Sequence, residues 1–277
     1  MKISTHTYDD PEQLFTLPSL EELIQRGGAG SGNFGHAGRP GKVGGSAPRG
    51  GGAPAKKQGW SFKENVDVRL QNDFQDRNMV AFNNQLWDVD RISTTIDFLV
   101  AEHNIPPEHL MGLTRVTVGT ADTGKFLNNP NAVGLYFGAS DGLGDIYLLG
   151  DYFNEPINAH TFFHELGHHV YNKLRQVDRS VVSDTETMFA QVKGEYPLDQ
   201  PGTDLKQMWW DGLREYSLTN ASEFFADSYA AYAESRLFPE SEDTVFNRLN
   251  DKYWGGFFDN WMEHLEQHER NDSFGRQ

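Results

Sequence analysis

The sequence predicts an α+β fold: a small mixed sheet, then a helical second half, the whole preceded by a disordered glycine-rich segment. Three observations lead there. Runs rich in β-branched and aromatic residues, "LTRVTVG" (113–119), "AVGLYFG" (132–138) and "GDIYLLG" (144–150), are bounded by glycines and asparagines as strands are. After Phe153 the apolar residues recur at helical spacing almost to the end. Residues 27–59 are so rich in Gly, Ala and Pro that they cannot offset the entropy of ordering.

Taken in order, residues 11–26 contain one short amphipathic helix, and the whole of 1–59 reads as a flexible tail or linker. The folded domain is expected over 60–277, where aromatic residues become dense. Asn78 to His103 reads as a helix, with Val80, Trp87, Ile92, Ile96 and Leu99 among its apolar positions and "PPEHL" as its stop. The three strands follow, with "GDIYLLG" taken as the edge of the sheet. Helices are then expected over 154–175, 203–216, 220–236, 241–252 and 256–268.

Composition narrows the function. The chain carries 24 Lys+Arg against 40 Asp+Glu, a formal charge of −16. Such a surface repels nucleic acid and anionic membrane. The charge is uneven: residues 1–59 hold seven basic and five acidic side chains, so the domain carries −18. Any contact with nucleic acid is therefore expected to be weak and confined to Arg39, Lys42, Arg49, Lys56 and Lys57 in 27–59. With no cysteine, disulfides and thiolate chemistry are excluded. The opening "MKISTHTYDD" lacks the apolar core of a secretory leader, and no run is long enough to span a membrane. A soluble protein is expected.

The chemistry concentrates in "HTFFHELGHHVYN" (160–172), where His164-Glu165-Leu166-Gly167-His168 spells HExxH. Residues four apart on a helix differ by roughly 40° in direction and about 6 Å in height, so both imidazoles can reach one ion. Glu165 sits beside that face, where its carboxylate can take a proton from a water that the ion polarises. Asn154 and Pro156 suit the start of this helix. Phe162, Phe163, Leu166 and Val170 give it an apolar surface to bury.

A catalytic zinc needs a third protein ligand. In "TNASEFFADSYAAY" Glu223 and Asp227 stand four apart, so Glu223 can ligate while Asp227 orients a ligating histidine through its far nitrogen. The same stretch also spells a capping box, Asn220-x-x-Glu223, in which Glu223 would only bond backbone amides. His160 shares the zinc face one turn earlier but reads as a rim or core residue, since three histidines along one straight helix wrap an ion poorly. His169 points elsewhere. Asp204 in "PGTDLK" resembles the third ligand of aspzincins. His264 and His268 read as a solvated helix face.

HELGH, Tyr216 seven residues before Glu223, and "TNASEFFADSYAAY" together resemble the anthrax lethal factor-like gluzincins, the group that includes the Pro-Pro endopeptidases. The resemblance covers about 155–236. It implies a zincin-like metallopeptidase domain with Zn2+ held by His164, His168 and Glu223. It also implies Glu165 as general base, Tyr216 as hydrogen-bond donor to the oxyanion, and Asp227 as the group that orients a ligand. Asp227 departs from the glutamate frequent there and is closer to the wider gluzincin pattern.

The resulting expectation is a zinc endopeptidase acting on a peptide or protein substrate, which pairs as an added strand along 144–150. The segment "GAGSGNFGHAGRPGKVGGS" also resembles a glycine-rich element of tailed-phage minor head and morphogenesis proteins. That resemblance implies phage virion or head proteins as partners and the bacterial cytoplasm or a virion as the location. It leaves a second reading open, a virion-associated or scaffold protein whose zinc site is structural.

Overall fold

In a computed structural model of the chain, residues 61–72, 75–82, 85–120, 132–150, 159–198, 203–237, 241 and 243–275 are described, with side chains up to 271. The helix read at 11–26, the segment 27–59 and the helix start at Asn154 and Pro156 lie outside the described residues.

The elements begin with α1 (Phe62–Asn65), β1 (Asp67–Asn72), β2 (Gln75–Arg77), β3 (Met79–Phe82) and β4 (Gln85–Asp88). Next come α2 (Val89–Glu102), α3 (Pro107–Leu110), β5 (Leu113–Gly119), β6 (Gly134–Gly138) and β7 (Gly144–Leu149). The helical half contains α4 (Ala159–Val177), α5 (Ser180–Glu195), α6 (Leu205–Trp210), a 3-10 turn (Tyr216–Leu218), α7 (Ala221–Ser235), α8 (Val245–Leu249) and α9 (Phe257–Gly275). The architecture is α+β, with a small mixed sheet and a helical second half, as the sequence leads one to expect.

Five strands form the main sheet in the order β2-β1-β5-β7-β6. β1, β5 and β7 run parallel, while β2 and β6 are antiparallel to their neighbours. One face carries Val68, Leu70, Val116, Val118, Ile146 and Leu148, all buried. The opposite face is charged: Asp67 accepts from Arg69 at 2.8 Å and Arg115 at 3.3 Å. This period-two separation of apolar from charged side chains makes one face of the sheet a docking surface. The helix α4 lies on it, with His169 and Asn172 reaching Tyr136 of β6.

Two expectations about the sheet are corrected. The stretch 144–149 is not an edge strand; it pairs with β5 on one side and β6 on the other, so among the described residues the edge strand on that side is Gly134–Gly138 and β2 is the other edge. The helix read over 78–103 begins only at Val89. Residues 79–88 form the β3–β4 hairpin, in which Val80 pairs with Trp87 and both are buried. Their alternation overrides helical spacing. Asp88 then ends the hairpin and caps α2, accepting from the Arg91 N–H at 2.7 Å.

Helix ends shift elsewhere too. The helix read over 203–216 stops at Trp210, and the one over 241–252 gives way at Asn250 to a wider π turn through Trp254. Gly255 and Gly256, both left-handed, turn the chain into α9, which runs to Gly275. The strands β1 and β2 and the helix α5 are additions to the sequence reading. α5 buries only Val181, Thr185 and Val192, too thin an apolar stripe to stand out.

α7 is the central helix, buried from Phe224 through Ala233. One side meets α4; the other meets an aromatic cluster in which Trp254 stacks on Phe224 at 4.8 Å and Phe258 stacks on Phe225 at 5.1 Å. The far end of α4 is tied down by a buried cation. Lys173 Nζ donates to the carbonyls of Met111 at 2.8 Å and Glu108 at 3.0 Å, and pairs with Glu269 at 2.8 Å. No helix among the described residues is long and apolar enough to cross a membrane.

Candidate metal centre

The site lies where α4 crosses α7. Its closeness depends on Gly167, the second free position of HExxH. A Cβ there would come within 2.9 Å of both the Cα and the carbonyl oxygen of Ala226. Backbone rather than a movable side chain is in the way, so two small residues let the helices approach to the distance at which their polar groups meet. Gly167→Ala gains roughly 1 kcal/mol of helix propensity, but overpacking typically costs about 1–3 kcal/mol. Overpacking is expected to win. The variant should unfold at lower urea than wild type and bind zinc more weakly, as measured by denaturation and chelator competition.

Across this contact three donor atoms converge. His164 Nε2 is 3.0 Å from Glu223 Oε2, and His168 Nε2 is 3.2 Å from the same oxygen. The residues come from positions 59 and 55 apart in the chain. Asn220 caps α7, its side-chain oxygen accepting from the N–H groups of Ser222 at 2.9 Å and Glu223 at 3.1 Å. The Glu223 carboxylate turns instead toward the histidines.

The outer nitrogens are engaged as well. His164 Nδ1–H donates to Asp227 Oδ1 at 2.6 Å, and His168 Nδ1 meets Ser222 Oγ at 3.0 Å. With its proton on Nδ1, a neutral His164 aims the Nε2 lone pair at a carboxylate lone pair, an arrangement that either a second proton on the imidazole or a shared cation would relieve. Burial disfavours the charged imidazole, but the bonds from Asp227 and Glu223 outweigh it and raise His164 to about 10. Glu223, despite its burial, is held down to about 2 by the same histidines. A proton thus answers the demand for positive charge when no metal does. The donor set fits zinc: ligand atoms roughly 2.0–2.1 Å from a tetrahedral ion lie about 3.3 Å from one another.

Glu165 is buried beside this triad. Burial pushes it up to about 7, against the opposing pull of His164 and His168. Gly134 of β6 makes its room, since a Cβ there would lie 2.5 Å from Glu165 Oε1. Tyr216 is exposed on the 3-10 turn rather than on a helix, its ring centred 5.7 Å from that of His164. Desolvation, reinforced by the Glu223 and Glu165 carboxylates, pushes its phenol up to about 12, so it stays a donor at neutral pH.

No family model, no curated protein and no solved structure matches the chain.

None of the remaining candidates joins the triad, although His160 forms a second close group with His164 and Asp227. Asp204 caps α6, accepting from the N–H groups of Lys206 and Gln207 at 3.1 and 3.0 Å, and is not brought to the histidines. His160 Nδ1 pairs with Glu234 at 3.0 Å, with Nε2 3.5 Å from Asp227 Oδ1, which sets it beside the orienting carboxylate. His169 is fully buried and held down to about 4 by desolvation, its Nε2 on the Met111 carbonyl at 2.9 Å. His264 and His268 are exposed on α9. Ser217, Ser222 and Gly134 were not among the residues singled out. Ser222 and Ser217 adjoin Glu223 and Tyr216 in sequence, the one signal that could have pointed to them.

Proposed function

We propose that the chain is a zinc-dependent endopeptidase of the gluzincin type, with His164, His168 and Glu223 as the metal ligands. The single observation that carries this reading is the meeting of two Nε2 atoms and one carboxylate oxygen, with Asp227 and Ser222 holding the outer nitrogens. Zinc bound there supplies Lewis acidity, polarising a water and the scissile carbonyl. Glu165 accepts the proton of the attacking water and passes it to the leaving amine. Its burial strengthens it as a base near neutral pH, and its carboxylate occupies the space that the missing side chain of Gly134 leaves. Tyr216 donates a hydrogen bond to the developing oxyanion, an interaction worth about 3 kcal/mol at such sites.

The substrate is an extended peptide. Among the described residues β6 pairs on one side alone, and it passes Glu165 at Gly134. A peptide added to that edge would gain backbone hydrogen bonds and bring its scissile bond over the site. The docking strand is therefore 134–138, in place of 144–150. The test is zinc analysis of purified protein together with a peptide-library digest, run with and without a chelator. Stoichiometric zinc and chelator-sensitive cleavage are expected. Bound zinc with no hydrolysis of any peptide would leave the structural-zinc reading instead.

A further inference from the structure

We infer that Ser217 is a positioning residue that ties the turn bearing Tyr216 to the metal ligand His164 through Asp227. The inference rests on the zinc endopeptidase reading above. Ser217 is fully buried, and its Oγ accepts from the Arg214 N–H at 2.9 Å. With that donor directed at the oxygen, the single hydroxyl proton goes to Asp227 Oδ2, with which Ser217 forms a hydrogen bond. The other oxygen of Asp227 takes the Nδ1–H of His164 at 2.6 Å. One carboxylate is thereby held at both ends, by a ligand on α4 and by the turn.

The turn makes the link consequential. Successive residues of a 3-10 turn are rotated by about 120°, so Tyr216 faces out over the site while Ser217 faces in. Leu213 and Leu218, both buried, anchor the turn on either side. A bond made by Ser217 therefore places the phenol one residue earlier. Without the hydroxyl, the Arg214 N–H and one Asp227 oxygen lose their partner, Asp227 can swing about its terminal torsion, and the hold on both His164 and Tyr216 loosens.

The experiment uses the full chain and four variants: Ser217→Ala, Ser217→Thr, Tyr216→Phe, and Ser217→Ala with Tyr216→Phe. Zinc affinity is measured by competition with a chromogenic chelator, and kcat and KM with a peptide taken from the library digest. Ser217→Ala should lower zinc affinity by about 10–100-fold. It should also lower kcat about tenfold at a KM within about twofold, with Ser217→Thr restoring most of both. Tyr216→Phe should cost less in the Ser217→Ala background than alone, because the phenol is already misplaced there. If Ser217→Ala does not fold, Ser217→Cys, similar in size with a weak S–H donor, is measured in its place against the same expectations. Wild-type zinc affinity in folded Ser217→Ala (or in Ser217→Cys, where the alanine variant does not fold), or strictly additive losses with Tyr216→Phe, overturns the link. A wild-type chain that binds no zinc removes the centre and the link together. A chain that binds zinc but cleaves nothing refutes the peptidase reading alone, and zinc affinity then judges the link: weakened in Ser217→Ala supports it, unchanged overturns it.

Discussion

Glu165→Gln is expected to keep zinc and abolish measurable peptide cleavage. Gln has the same shape and reach but cannot accept a proton, so the loss falls on proton transfer alone, a contribution typically of about 10²–10⁴-fold. Zinc should stay because the three converging donors belong to His164, His168 and Glu223, and Glu165 is not among them. Stability should hold or rise. Glu165 is a buried residue, and a neutral amide avoids the penalty of desolvating charge there. The decisive comparison is kcat beside zinc content and thermal midpoint. Cleavage at the wild-type rate would sink the assignment of Glu165 as base, whatever the metal does.

Glu223→Ala should empty the centre. Removing it takes away one of the three proposed ligands and, among the described residues, the carboxylate oxygen that both Nε2 atoms approach. The loss of zinc affinity should exceed the ~100-fold upper range for residues that merely support ligands. Folding should survive, because the Asn220 oxygen caps α7 without help from the Glu223 carboxylate. Chelator competition and a urea melt separate the two effects. If the variant retains zinc at wild-type affinity, Glu223 is not a ligand. If it fails to fold, its carboxylate has a structural role that the Asn220 cap does not replace.

How much of this was legible beforehand follows from the range of each interaction. His164, Glu165 and His168 lie within a single helical turn, so their common face follows from helix geometry alone. The apolar residues beside them likewise identify α4, and the strands at 113–119 and 144–149 are short runs with clear boundaries. The hairpin at 79–88 reads as helix in the sequence because short apolar runs satisfy both periodicities, and the pairing of Val80 with Trp87 breaks the tie. The edge of the sheet could not be told from order along the chain. Strand order is a property of which backbones pair, and β6 comes earlier in sequence than the strand it flanks.

What local spacing determined, then, is half of the candidate site: two imidazoles and a neighbouring carboxylate on one coil. The crossing of α4 with α7 supplied the rest. It turned Glu223 from a possible cap into the third converging donor, set Asp227 behind His164, and recruited Ser217 and Ser222, which carry no motif of their own. The physical reason is that these contacts join residues more than fifty positions apart, or hang on a turn whose place is set by packing. Their distances are governed by how closely two helices can approach at Gly167 and Ala226, a quantity that periodicity does not contain.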